Sequence, residues 1–169
     1  EMQTSKTNHG SGESDGIEYS VAPLRMNRGS AVRERAMMQS LKCGWSVSTL
    51  RQTGTGVPVL MLHSSGLGAF QWRRSLRRFR PRPVCAPDLI GYGATDDWEQ
   101  DGPKNWLQDL AIAAELLEEL GTADVVGHSY GGHLALHLAR EFPDRVRRLA
   151  LHEPVIWGVV WNDAEPDVR

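Results

Sequence analysis

The chain has 169 residues, 40% hydrophobic and 24% charged, which is typical of one globular domain and excludes fibrous and wholly disordered classes. Its 19 Lys and Arg against 21 Asp and Glu give a net charge of −2, which favours neither a nucleic-acid nor a membrane partner. The two cysteines cannot make a disulfide framework, and no apolar run approaches the ~20 residues of a membrane helix. The N-terminus also lacks the apolar region of a signal peptide, so we expect a cytoplasmic protein.

Residues 1–36 differ in composition from the rest of the chain. They contain only ten apolar residues and show neither a helical nor a strand period. So few apolar groups cannot offset the entropy lost on ordering a chain. We therefore predict a disordered N-terminal extension over 1–36 and a folded domain over 37–169.

From residue 45 onward, predicted strands and helices alternate. Strands are predicted at 45–49, 58–63, 83–86, 123–126 and 146–151, and helices at 70–79, 103–120 and 130–141. The second helix has the clearest apolar stripe, which repeats every three or four residues from Trp106 to Leu120 and ends at Gly121. Alternation of this kind predicts an α/β fold, with a mainly parallel sheet and helices on both faces.

The sequence Gly127–Gly131 (GHSYG) has the pattern G-x-S-x-G between a predicted strand and a predicted helix. A serine on such a tight turn projects its oxygen clear of the backbone, and small residues two positions away on either side prevent clashes. The N–H groups that open the following helix favour negative charge nearby. The pattern therefore makes Ser129 a candidate nucleophile.

Three further motifs accompany this turn along the chain. They are His63–Gly68 (HSSGLG), Asp88–Thr95 (DLIGYGAT) and Phe142–Val146 (FPDRV). Together the four motifs resemble the α/β-hydrolase superfamily over roughly residues 45–160. The resemblance implies that fold, and it makes His63 and Asp88 residues that organise loops rather than catalysts.

The resemblance also implies roles at the site itself. Ser129 would attack a carbonyl, and the backbone N–H groups of Ser65 and Tyr130 would form the oxyanion hole. Ser64 departs from the family pattern, which has glycine at that position. A serine at the turn disfavours epoxide hydrolases and haloalkane dehalogenases, which have an aspartate there.

A serine nucleophile needs a histidine base and a carboxylate, which in this fold follow it along the chain. Of the later histidines, His133 and His137 lie on the helix that leaves the turn, and His152 ends a strand too early to be the base. Glu153 is a candidate acid, although the interpretation we favour is that a cap region begins near 154–169. We therefore expect an α/β-hydrolase fold whose C-terminal strands, acid and base are missing.

The favoured hypothesis is a serine hydrolase that cleaves carboxylic esters or related carbonyl compounds, of small-molecule size, through an acyl-enzyme at Ser129. The first alternative is a truncated, inactive hydrolase fragment or pseudoenzyme that acts as a binding module. The second is an anion-binding protein that uses the six arginines of residues 73–82, although a solvated helix face explains them better. The spacing of His133 and His137 can bind zinc, but without a third ligand we expect no metal and no cofactor. The oligomeric state is left open.

Overall fold

The structure is a computed structural model that describes residues 33–98 and 105–156. These residues belong to the second of two units, Glu1–Ser30 and Ala31–Arg169. The described strands are β1 (Glu34–Ser40), β2 (Ser46–Gln52), β3 (Val59–Leu62), β4 (Val84–Pro87), β5 (Ala123–His128) and β6 (Val146–His152). The described helices are α1 (Arg73–Leu76), α2 (Trp106–Leu120) and α3 (Tyr130–Glu141), and 3-10 turns at Ala69–Trp72 and Arg77–Phe79 flank α1.

The six strands form one sheet in the order β1-β2-β4-β3-β5-β6. The pairings of β3 with β4 and β5, and of β5 with β6, are parallel, whereas β2 is antiparallel to both β1 and β4. The predicted α/β architecture with a mainly parallel sheet is therefore confirmed. Because β3 and β5 pair with Leu62 opposite Gly127, the loops that follow these two strands leave the sheet side by side.

Both faces of the sheet are covered, as predicted. Along β3, Leu60 and Leu62 belong to the apolar core that α2 and α3 complete, while Val59 and Met61 belong to a second core on the opposite face. All four side chains are fully buried. A strand that is buried on both sides has a continuous apolar sequence, which is the pattern that β3 shows.

The start of the sheet differs from the prediction. Strand β1 begins at Glu34, so residues 34–36 belong to the folded domain and not to the extension predicted for 1–36. Just before it, the N–H of Arg33 donates to Thr53 Oγ1 at 3.0 Å. The remainder of the predicted extension, residues 1–32, lies outside the described residues.

The helix predicted at 70–79 is instead three short pieces, a turn of α-helix between two 3-10 turns. The predicted inward face is nevertheless present, because Leu76 is buried while Trp72 and Phe79 pack against the same core. Helix α2 begins at Trp106 rather than at Pro103. Asn105 caps it by accepting a 3.0 Å hydrogen bond from the N–H of Leu107.

The arginine-rich segment also forms ion pairs. Arg82 lies 2.6 Å from Asp124, which Arg147 also contacts at 2.8 Å, and Arg80 lies 3.2 Å from Glu34. The other four arginines of the segment are exposed, as expected of a solvated face. None of the helices in the described part of the chain has the length and apolarity needed to cross a membrane.

Strand β6, which was predicted at 146–151, forms one edge of the sheet among the described strands. Leu149 and Leu151 are each 36% exposed there. Residues 154–156 follow without regular structure, and most of the predicted cap entry, 157–169, lies outside the described residues.

Candidate active site

Ser129 occupies the turn between β5 and α3 with φ 52° and ψ −112°, a backbone conformation that non-glycine residues rarely adopt. Its N–H donates to the carbonyl of His152 at 2.9 Å. Its own carbonyl accepts from the N–H groups of His133 at 3.1 Å and Val155 at 3.2 Å. The backbone of the predicted nucleophile is thus fixed from both β6 and α3, as a strained strand-to-helix turn requires.

The glycines on either side of Ser129 allow α3 to approach the sheet. A Cβ on Gly127 would collide with the backbone of Gly131 and Gly132, and a Cβ on Gly131 would collide with the carbonyls of Leu62 and His63. The N-terminus of α3 therefore lies directly against the end of β3. Tyr130 is the first residue of α3, and the loop that carries Ser65, the other predicted oxyanion donor, follows β3.

His63 organises the loop after β3, as the sequence predicted. Its ring is fully buried, with Nδ1 2.8 Å from the Ser64 carbonyl and Nε2 accepting from the Leu89 N–H at 2.9 Å. Because Leu89 supplies a donor, the ring is neutral with its proton on Nδ1. Burial lowers the pKa of His63 below its ordinary value, which keeps this arrangement neutral.

Ser64, which departs from the family's glycine, is accommodated within the same loop. Its side chain is almost fully buried, and its hydroxyl donates to the Ser65 carbonyl at 3.3 Å. Its N–H donates to Gln71 Oε1 at 3.2 Å. Ser65 itself is exposed at the surface of the loop. The substitution therefore adds a hydrogen bond to the loop without covering Ser65.

Asp88 holds the next loop, also as predicted. One carboxylate oxygen accepts from the Ala69 N–H at 2.7 Å, and its carbonyl accepts from Thr95 Oγ1 at 2.7 Å. Gly93 has φ 59°, and a Cβ there would collide with the Asp88 carboxylate. The second glycine of the D-x-x-G-x-G pattern thus leaves space for the Asp88 carboxylate, which hydrogen bonds this loop to the segment preceding α1.

Sequence reasoning missed Asp109, a buried carboxylate of α2 that is 2% exposed. One of its oxygens accepts from the Tyr130 hydroxyl at 2.6 Å and the other from the Ile90 N–H at 2.9 Å. Burial raises the pKa of Asp109, and burial together with this carboxylate raises the pKa of Tyr130. Asp109 follows Trp106 by three positions and therefore lies on the apolar face of α2. A charged residue on that face was the signal in the sequence that could have indicated a buried carboxylate.

The histidines after the turn do not reach Ser129. In the described part of the chain, no histidine ring is hydrogen bonded to it. The rings of His133 and His137 pack on Trp106, with centroids 4.8 and 4.5 Å from the indole. The ring of His152 instead stacks on His128 at a centroid distance of 4.7 Å. Among the described residues, Ser129 therefore has no hydrogen-bonded histidine, while Tyr130 follows it directly in the chain and Ser65 lies on the loop after β3.

The sequence profile of the Alpha/beta hydrolase family matches residues 59–169, and the chain belongs to that family. Among curated relatives, it is 40% identical over 110 residues to a 2-hydroxy-6-oxo-2,4-heptadienoate hydrolase of Pseudomonas putida, which covers 62% of this chain and 40% of that protein. It is 35% identical over 102 residues to Lipase LipV of Mycobacterium tuberculosis, covering 58% of this chain and 37% of the lipase.

Solved structures agree with this assignment of the fold. The haloalkane dehalogenase DatA of Agrobacterium tumefaciens C58 superposes with a TM-score of 0.64 at 26% identity, over 82% of this chain and 47% of that one. The chain spans 38–40% of the length of three curated hydrolases that it matches.

Proposed function

We propose that the protein is a hydrolase that attacks a small carboxylic ester or related carbonyl compound with Ser129. The observation that carries the proposal is the conformation of this residue, which is held at a positive φ by hydrogen bonds to the end of β6 and the start of α3. Such a conformation costs stability, and proteins retain it where it presents a reactive side chain. Because the chain belongs to a hydrolase family, the reaction we infer for this side chain is hydrolysis.

The proposed oxyanion hole consists of two backbone donors. Tyr130 is the first residue of α3, so its N–H has no partner within the helix. Ser65 lies on the loop after β3, which the β3–β5 register places beside the turn. The loss of one well-placed donor of this kind costs roughly 3–4 kcal/mol of transition-state stabilisation. The serine at position 129 also distinguishes this site from that of haloalkane dehalogenases, for which an aspartate is expected at the same position of the turn.

The experiment is labelling with a fluorophosphonate probe, which modifies serines activated for nucleophilic attack. We expect labelling of the unaltered chain, loss of labelling in Ser129→Ala, and retention in Ser40→Ala, an exposed serine at the end of β1 that serves as the matched control. Circular dichroism establishes that each variant is folded. Equal labelling of the two variants would contradict the proposal.

The alternative of an inactive binding module has its own observation. No histidine among the described residues is hydrogen bonded to Ser129, and a serine without a base is a poor nucleophile. A folded chain that takes up no probe would favour this alternative. A small ester that protects the fold against thermal unfolding without being cleaved would then define the module's ligand.

A further inference from the structure

Three potential metal ligands meet at the carboxyl ends of β5 and β6. His128 and His152 are opposite each other in the register of these strands, and Glu153 is the next residue. One ligand atom from each of the three lies within 4.8 Å of the others. The two imidazole rings stack with an interplanar angle of 26°, and His128 Nε2 lies 3.9 Å from a Glu153 carboxylate oxygen.

The hydrogen bonds of Gln71 define which nitrogen of His128 is available. Gln71 Oε1 accepts from the backbone N–H of Ser64 at 3.2 Å, so this end of the amide is the oxygen. His128 Nδ1 lies 3.5 Å from the same oxygen, at the outer limit of a hydrogen bond, and a ring that donates to this oxygen carries its proton on Nδ1. In a neutral ring of this tautomer the lone pair is on Nε2, which lies 3.9 Å from a Glu153 carboxylate oxygen. Metal-binding histidines characteristically hold their other N–H in such an outer hydrogen bond.

A cation between the His128 Nε2 atom and the Glu153 carboxylate would be bound by both, because a neutral imidazole nitrogen and a carboxylate oxygen are both metal ligands. At 3.9 Å the two atoms are too far apart for a direct hydrogen bond. Zinc bound tetrahedrally by nitrogen and oxygen has ligand distances of about 2.0–2.2 Å, which places neighbouring ligand atoms roughly 3.4 Å apart. The ligand atoms, which lie within 4.8 Å of one another, need to close by at most about 1.4 Å, and the stacked imidazole rings need to turn so that both lone pairs meet at one ion. The Glu153 side chain is 77% exposed and has the freedom to do so.

We propose that His128, His152 and Glu153 form an open three-ligand site for a divalent transition-metal ion of the zinc type, with solvent at the fourth position. Two imidazoles and a carboxylate are the donors that zinc and its neighbours prefer over magnesium or calcium. His128 and His152 are 24 positions apart, so spacing along the chain does not reveal the site. The proposal is independent of whether Ser129 is catalytic.

Calorimetric titration of the chain with zinc chloride tests the site, and Co²⁺ reports the ligand geometry through its visible absorption. We expect one ion per chain, and a loss of affinity of about tenfold or more in both Glu153→Gln and His152→Gln. His137→Gln, a histidine of the other pair, is the matched control and should bind as the unaltered chain does. Since both test positions are exposed, we expect these variants to fold, which circular dichroism verifies.

Two results would overturn the proposal. One is the absence of stoichiometric binding to the unaltered chain. The other is binding that both Glu153→Gln and His152→Gln leave unchanged. The ion would then be bound by the histidines of α3 if His137→Gln weakens binding, and at another position in the chain if His137→Gln does not.

Discussion

Replacement of Asp109 by alanine tests how firmly α2 holds the turn after Ser129. The carboxylate receives the Tyr130 hydroxyl and the Ile90 N–H, and the Ile90 residue is 1% exposed. Without an acceptor, the buried N–H costs about 1–3 kcal/mol, and the half-buried hydroxyl adds roughly 1 kcal/mol. We expect Asp109→Ala to lower the free energy of unfolding by about 2–4 kcal/mol.

Asp109→Asn is the matched control for this experiment. The asparagine retains an oxygen for the Ile90 N–H, and its amide nitrogen can donate to the Tyr130 oxygen. The asparagine also avoids the free-energy cost of burying a charge, so we expect the free energy of unfolding to change by less than about 1 kcal/mol at neutral pH. Urea unfolding followed by tryptophan fluorescence measures both variants.

The pH dependence gives a second readout on the same residue. Burial raises the pKa of Asp109 above its ordinary value of 3.8, so folding favours the protonated carboxyl. Its contribution to stability is therefore complete below the unfolded pKa and is lost as the pH rises through the folded pKa. Relative to Asp109→Asn, the unaltered chain should lose stability as the pH rises above 3.8. A loss below about 0.5 kcal/mol in Asp109→Ala, or equal losses in both variants, would refute the reasoning.

Three further predictions concern the elements around the turn. Gly131→Ala should cost about 1–3 kcal/mol in urea unfolding, since its Cβ would collide with backbone that cannot move aside; an unchanged midpoint would contradict this. The His63 ring should show the Nδ1-protonated form by nitrogen NMR and stay neutral below pH 6.5, because burial lowers its pKa; protonation near 6.5 would contradict the assignment. Asp124→Asn should cost about 1–2 kcal/mol at neutral pH. Burial opposes ionisation of Asp124, but hydrogen bonds from Arg147 and Arg82 lower the pKa of its carboxyl below the ordinary value. The stability difference between Asp124→Asn and the unaltered chain should therefore disappear as the pH falls through the folded pKa of Asp124. A difference that persists in acid would contradict the ion pairs of Asp124 with the two arginines.

The turn at Ser129 was predictable from the sequence because its requirements are local. Gly127 and Gly131 are glycines since any Cβ there meets backbone within a few residues or on the adjacent strand. The buried strand β3 was predictable for a similar reason, because burial on both faces produces an uninterrupted apolar run.

Features that depend on distant contacts were not predictable in the same way. Strand β1 has no apolar alternation, since most of its residues are at least partly exposed and only pairing with β2 defines it. The role of Asp109 depends on two partners from other elements, and the meeting of His128 with His152 depends on the β5–β6 register. A pattern along one segment carries no information about the register between two strands.

The backbone angles of Ser129 have a consequence for how this sequence was selected. At φ 52° and ψ −112°, glycine would be the more stable residue, because it has no Cβ to strain. Selection for stability alone would therefore favour glycine at position 129, and a chain that keeps the serine is less stable than one with glycine there. Natural sequences depart from their stability optimum in this way where another requirement acts on the same position.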